Sequence, residues 1–179
     1  MNGPIVVVTG PSGAGKTTAA RLVADAFDRS VHVEGDVFLR FAVNGWVDPN
    51  RPEAARQNEV IGGAIGACAM EFAVGGYTVI LDGTFFPDGV DGLAGWAARR
   101  DVPVHYAVLR TDLDTCLYRV RQRRPGDPSD LDAWTLLHTR MADLGRYEAH
   151  VFDASGAPGD IASAVLARLR AGSLAVATL

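Results

Sequence analysis

Near the start of the chain, glycine, lysine and threonine are spaced in a way that suits phosphate binding. The stretch Gly-Pro-Ser-Gly-Ala-Gly-Lys-Thr matches the pattern Gly-x-x-x-x-Gly-Lys-Thr, in which backbone N–H groups surround phosphate oxygens at a helix N-terminus. In that pattern the lysine reaches the β- and γ-phosphates, and the threonine hydroxyl ligates Mg²⁺. We therefore expect Thr17 to be a metal ligand and the following residues to bind nucleotide: Gly10, Ser12, Gly13, Ala14, Gly15, Lys16, Thr17 and Thr18.

A glycine turn that happens to carry lysine and threonine is the alternative explanation of this stretch. The sequence around it disfavours that explanation, because residues 5–9 are apolar like a buried parallel strand and residues 15–28 follow a helical pattern. Lys16 is also the only lysine in a chain whose other basic side chains are arginine. A compact ammonium is therefore retained at this one position, which favours a catalytic role for Lys16.

Two carboxylates end predicted strands. Asp36 ends a short strand over residues 31–36, and Asp82 ends the strand 77–82 at the position of a Walker B carboxylate. Since ligands bind beyond the carboxyl ends of parallel strands, we expect Asp36 to contact substrate as the base or to hold a Mg²⁺ water, and Asp82 to ligate Mg²⁺ and line the acceptor pocket with Phe85. Helix capping by Asp36 and loop binding by Asp82 are the structural alternatives.

Turn-forming residues dominate the segment 44–56, which is typical of a loop over a substrate. Trp46 in this loop is a candidate for stacking on a ring, and Arg40 before it is a candidate substrate contact. The other two tryptophans, Trp96 and Trp134, fit positions in helix cores better.

Arginines cluster at residues 119–124, on the predicted helix 113–123 and the loop after it. Arginine forks suit phosphate oxygens and stack on adenine, so the cluster predicts a lid over about residues 119–131 that closes on ATP. Arg119 and Arg123, one helical turn apart, are the expected nucleotide-binding pair, with Arg123 also catalytic. A solvated basic face is the alternative for most of the cluster.

Strands and helices alternate along the chain, which predicts an α/β fold: a three-layer αβα sandwich around a five-stranded parallel sheet. With 179 residues, 48% of them hydrophobic, the chain suits one domain. We expect this domain to cover residues 1–170 and the tail 171–179 to fray.

Charge and cysteine content narrow the class of protein. The net charge of −4 argues against nucleic-acid binding through a broad basic face and leaves room for a small anionic ligand. The two cysteines, Cys68 and Cys116, stand in apolar helical contexts and fit reduced core residues. No apolar run is long enough for a membrane helix. We expect a cytoplasmic protein.

The phosphate loop, Asp36, the lid arginines and the last strand, predicted over residues 150–153, together resemble the nucleoside-monophosphate-kinase-like P-loop kinases. This group includes shikimate kinase, gluconate kinase, chloramphenicol phosphotransferase and polynucleotide kinase. The resemblance implies a P-loop NTPase fold and a kinase that uses ATP and Mg²⁺ to phosphorylate a hydroxyl of a small molecule, such as an antibiotic or a sugar-like metabolite. It also implies that Asp36 is the general base, that Arg119 packs on adenine and that Arg123 or Arg124 contacts phosphates.

Two other functions stay open at this point. A polynucleotide 5′-hydroxyl kinase would use the same residues, although the acidic charge balance counts against it. A nucleotide-dependent switch or regulatory ATPase would need no acceptor. The sequence identifies neither the acceptor nor the oligomeric state.

Overall fold

The structure is a computed structural model that describes residues 1–123 and 131–177, apart from the side chain of Arg123. Its strands are β1 (Ile5–Thr9), β2 (Ser30–Glu34), β3 (Thr78–Asp82), β4 (Val104–Arg110) and β5 (Val151–Asp153). Its helices are α1 (Lys16–Ala24), α2 (Gly35–Leu39), α3 (Ala55–Val74), α4 (Pro87–Ala98), α5 (Leu113–Arg123), α6 (Leu131–Arg140) and α7 (Pro158–Arg170). Short 3-10 helices cover Pro52–Ala54 and Gly145–His150.

The five strands form one parallel sheet in the order β2-β3-β1-β4-β5. Strand β1 is central and every residue in it is buried, because its run of β-branched apolar side chains packs on both faces of the sheet. Helix α1 follows β1 directly, so the connecting loop lies at the carboxyl edge of the sheet, where ligands bind in folds of this class.

Alternate residues of β1 belong to two separate apolar cores. Ile5 and Val7 pack with α3 and α4 on one face, whereas Val6 and Val8 pack with α1 and α7 on the other. This follows from the two-residue period of a strand. The predicted three-layer αβα sandwich around a five-stranded parallel sheet is confirmed.

The expectation that residues 171–179 fray is wrong for the part that the structure describes. Leu174 is fully buried, its carbonyl accepts a hydrogen bond from Tyr106 N, and Val176 N donates to Val104 O, both at 2.9 Å. Strand β5 pairs only with Val108–Arg110 of β4, so the first half of β4 has a free edge. The tail covers this edge with an antiparallel bridge.

The second strand ends earlier than predicted. Strand β2 stops at Glu34, and Asp36 lies in the first turn of α2. Gly35 lies at this change from strand to helix and is closely packed: a Cβ there would lie 3.1 Å from the carbonyl oxygen of Asp82 and 3.3 Å from the Phe85 ring.

Residues 1–123 and 131–177 contain no helix that is both long and apolar enough to span a membrane.

Candidate active site

Three glycines of the phosphate loop have positive φ angles, 149° at Gly10, 86° at Gly13 and 92° at Gly15. An added Cβ on Gly10 would lie 2.1 Å from the Leu109 carbonyl oxygen, and one on Gly13 would lie 2.3 Å from the Cys116 carbonyl oxygen. Both conformation and space therefore require glycine at these two positions. The loop is locked between β4 and α5.

The N-terminus of α1 is suited to an anion. Its N-cap is Gly15, no side chain caps it, and its first turn contains no acidic residue. The first N–H groups of a helix and its dipole both favour negative charge at such an end. Lys16 extends across the loop and donates from Nζ to the Pro11 carbonyl oxygen at 3.1 Å, so the ammonium lies over the loop.

A cleft of about 730 Å³ opens beside this loop. It brings the phosphate loop together with Asp36, Arg40 and Trp46, three of the residues expected to contact substrate. The loop contributes Ser12, Gly13, Gly15, Lys16 and Thr17, and Val120 of α5 also borders the cleft. We call the remaining lining residues, Asp36 apart, the acceptor wall: Leu39, Arg40, Ala42, Trp46, Asp48, Pro49, Asn50 and Trp134.

The other predicted loop residues lie around this cleft rather than on it. Gly10 and Ala14 are buried, Thr18 is exposed, and Ala14 N donates to Pro11 O at 3.2 Å. Gly10 and Ala14 therefore shape the loop from within.

Side-chain amides hold the part of the acceptor wall that contains Trp46. Gln57 of α3 donates to Val47 O at 2.7 Å and accepts from Val47 N at 2.9 Å. Asn58 donates to Pro49 O at 2.8 Å, and Asp48 accepts from Asn50 N at 2.9 Å. Sequence reasoning missed Gln57, because nothing in the pattern of α3 indicates which backbone its first turn meets.

Trp134 does not occupy the helix core expected for it. It is half-buried and lines the cleft from α6, a helix with no fully buried residue. Helical periodicity cannot distinguish a face on a core from a face on a cleft. Trp96, in contrast, packs against the apolar core as predicted, and its ring lies 3.3 Å from a Cβ placed on Gly66 of α3.

Arg110 holds the segment that follows α6. Arg110, which ends β4, pairs with both carboxylate oxygens of Glu148, at 3.1 and 2.7 Å. Its Nη1 also donates to the carbonyls of Met141 and Ala142 just after α6. The hydrogen bond to Arg110 and another from Leu144 N lower the pKa of Glu148, and the same carboxylate raises the pKa of Arg110.

Asp82 and Phe85 are not among the described residues that line the cleft. Asp82 is 4% exposed, and its Oδ2 lies 3.4 Å from His32 Nε2. The Phe85 ring packs against Gly35 and Gly83, while its backbone is held by Thr9. The strand-end argument placed both residues at the correct edge of the sheet but could not show that their side chains turn into the protein.

The lid can be described only at its two ends. Arg119 Nη1 donates to Ala154 O at 3.1 Å and to Gly13 O at 3.4 Å. It therefore joins α5 to the phosphate loop and to the segment after β5. The side chain of Arg123 and residues 124–130, including Arg124, lie outside the described residues, so their predicted phosphate contacts stay predictions.

The oxygen atoms on the cleft fit Mg²⁺ as ligands. In nucleotide sites this ion binds one or two protein oxygens and keeps water and phosphate as its other ligands. Thr17 and Asp36 both line the cleft and offer such oxygens. Asp82, the other predicted ligand, faces His32 instead. Among the described residues there is no group of three or more His, Cys, Asp or Glu side chains arranged around a metal position.

Known proteins resemble this chain over most of its length. The family described as AAA domain matches residues 5–142. The UPF0200 protein of Aeropyrum pernix is 30% identical over 153 residues, which are 81% of this chain and 78% of that protein.

Solved structures share the fold. The tunicamycin resistance protein of Deinococcus radiodurans has a TM-score of 0.69 at 18% identity, over 93% of this chain and 95% of that one. The Mycobacterium tuberculosis APS kinase CysC, solved with AMPPNP and APS, also has a TM-score of 0.69, at 19% identity over 94% and 98%. The Pnkp1/Rnl/Hen1 RNA repair complex gives 0.62 at 18% identity, over 78% of this chain and 44% of that one. Because the family match spans most of the chain and includes the phosphate loop, the protein belongs to the family described as AAA domain.

Proposed function

We propose that the protein is a kinase that transfers the γ-phosphoryl group of ATP, with Mg²⁺, to a hydroxyl group of a small molecule. The observation that carries this proposal is the position of Asp36. This exposed carboxylate lines the same cleft as Lys16 and Thr17. A phosphoryl-transfer site needs groups that bind the phosphates and, beside them, a base that accepts the proton of the acceptor hydroxyl.

Each residue then has a defined task. The acceptor hydroxyl gives its proton to the Asp36 carboxylate while its oxygen forms a bond to the γ-phosphorus. The bond from that phosphorus to the bridging oxygen breaks, and ADP leaves with the electron pair. Lys16 and the N–H groups at the start of α1 stabilise the negative charge on the phosphates. Thr17 would hold Mg²⁺, which would neutralise phosphate charge and orient the phosphates.

The decisive variant is Asp36→Asn, which keeps the shape of the side chain and removes the base. We expect kcat for transfer to fall by about 10²–10⁴-fold, the usual contribution of a general base. The affinity for ATP without Mg²⁺, measured by calorimetry, should stay within about threefold, since a change of that size is below 1 kcal/mol.

Asp88→Asn is the matched control. Asp88 is an exposed carboxylate in the first turn of α4, so the change alters helix electrostatics in the same way but outside the cleft. Full transfer activity in Asp36→Asn would remove Asp36 from the mechanism.

A polynucleotide 5′-hydroxyl kinase is the second candidate. The likeness to the Pnkp1-containing complex favours it, whereas the net charge of −4 counts against a long nucleic-acid strand as the acceptor. Labelling of a short oligonucleotide from radioactive ATP would establish this activity. ATP hydrolysis that no hydroxyl compound accelerates would instead favour a regulatory ATPase.

We also place the protein in the cytoplasm, where ATP is abundant and thiols stay reduced. Both cysteines are free, and burial raises the pKa of the Cys116 thiol, which is consistent with an unreactive core residue. A small-molecule substrate is the partner that this proposal requires.

A further inference from the structure

The acceptor wall differs in chemistry from the phosphate side of the cleft. It contains two tryptophans on separate elements, Trp46 in the loop after α2 and Trp134 on α6. Trp46 keeps 51% of its surface exposed, although a large aromatic residue is usually better covered on a protein without a ligand. Indole faces stack on the flat faces of other rings, with little demand on ring type.

Charge on this side of the cleft is mainly negative. Among the described lining residues outside the phosphate loop, two carboxylates, Asp36 and Asp48, stand against one guanidinium, Arg40. Lys16 belongs to the phosphate side, where it serves the nucleotide. An acceptor with its own carboxylate or phosphate group would lie within a Debye length of both carboxylates and be repelled by them.

We propose, on the basis of the kinase function above, that the acceptor is a ring-bearing alcohol without negative charge, held by stacking on Trp46 and Trp134 with its hydroxyl toward Asp36. A glycoside and a nucleoside both satisfy this description. Asp48, Asn50 and Arg40 offer hydrogen bonds to the remaining polar groups of such a ring. The transferred group and the broken bond are those given for the kinase reaction.

Matched pairs of acceptors test the proposal. Uridine is compared with uridine 5′-monophosphate, methyl glucoside with methyl glucuronide, and glycerol serves as the alcohol without a ring. ADP release with ATP and Mg²⁺ reports transfer, and quenching of tryptophan fluorescence reports binding. We expect the neutral member of at least one pair to have a kcat/KM about tenfold or more above its acidic partner and above glycerol.

Variants of Trp46 locate the effect. Trp46→Ala should raise KM for the neutral acceptor by about tenfold, in line with loss of one stacking contact, while KM for ATP stays unchanged. Trp46→Phe should restore most of the loss. Val43→Ala is the control, because Val43 lies on the same segment, is 88% exposed and is not among the described cleft residues.

Each result decides between the two proposals. Equal or better transfer to the acidic partners or to glycerol overturns the acceptor class and leaves the kinase function standing. Quenching by neutral ring alcohols without transfer to any compound overturns the kinase function and leaves the acceptor class standing as a binding preference. If no compound quenches the fluorescence and none is phosphorylated, both proposals are overturned.

Discussion

The two sides of the cleft are built in opposite ways. The phosphate loop lies among buried backbone, where Gly10 and Gly13 touch the carbonyls of Leu109 and Cys116. The acceptor wall around Trp46 lies on an exposed segment and is held by the side-chain amides of Gln57 and Asn58. A rigid phosphate side and a separately supported acceptor side let one fold keep the transfer chemistry while the acceptor changes.

The same contrast appears in the glycines. Gly13 has no room for a methyl group, whereas Gly62 and Gly63 in the exposed first half of α3 have no atom within 4 Å of a built Cβ. Glycine is therefore required by the structure on the phosphate side. In α3, which supports Trp46, glycine is not required and lowers the stability of the helix.

The largest effect is expected from Gly13→Ala. The added Cβ would overlap the Cys116 carbonyl, and the φ of 86° disfavours a side chain. We expect the free energy of unfolding to fall by about 2–4 kcal/mol, the range for a strained backbone position that must also shift. Urea unfolding followed by circular dichroism gives the value.

Gly62→Ala is the matched substitution on the other side. In a helix interior with open space it should raise the free energy of unfolding by about 0.5–1 kcal/mol. Equal effects of the two substitutions would contradict the contrast between a rigid phosphate side and a loosely packed support.

A medium effect is expected from Gln57→Ala, which removes both hydrogen bonds to Val47. Gln57 does not line the cleft, so it acts as a positioning residue for Trp46. KM for the acceptor should rise by about five- to tenfold, the equivalent of one or two lost hydrogen bonds, while kcat and KM for ATP change little.

Glu59→Ala, two positions along α3, is the control, since Glu59 is exposed and pairs only locally with Arg56. A fall in kcat with an unchanged acceptor KM would show that Gln57 does not act through Trp46.

The smallest effect concerns the two sets of contacts that lie behind the acceptor wall and support it. Neutral amides hold the Trp46 segment and do not titrate, whereas Arg110, paired with Glu148, holds the carbonyls that follow α6, the helix of Trp134. Because the pKa of Glu148 is lowered in the folded state, its stabilising contribution is present above the ordinary carboxylate pKa and is lost as pH falls through the lowered value.

Glu148→Gln should therefore lower stability at pH 7 and make its decline toward acid shallower than that of the native protein. Urea unfolding at several pH values between about 7 and 3 covers this range, in which carboxylates titrate. Parallel declines in the two proteins would mean that the pair contributes nothing.

Local sequence signals predicted the phosphate side well. The strand before the loop, its glycines and the helix after it are all short-range features, and the structure places Ser12, Lys16 and Thr17 on the cleft as expected. Asp36 also reaches the cleft, although from the first turn of α2 rather than the end of a strand. A shift of two residues leaves Asp36 at the same carboxyl edge of the sheet, where ligands bind.

Features that depend on tertiary contacts could not be predicted. Asp82 faces His32 because β2 and β3 pair in a register that sets Glu34 opposite Asp82, and no local pattern fixes that register. Trp134 faces the cleft because α6 lies on the surface. The role of Gln57 depends on its hydrogen bonds to Val47, and these depend on the path of the loop that contains Trp46.

Residues 172–176 have a consequence for behaviour in concentrated solution. They pair with the carbonyl of Val104 and the N–H of Tyr106 at the edge of β4. Without them, these backbone groups would be free to pair with a strand from another molecule. Truncation ahead of Gly172 would uncover these groups together with the apolar site filled by Leu174. These residues therefore protect the edge of β4 from pairing with a strand of another molecule.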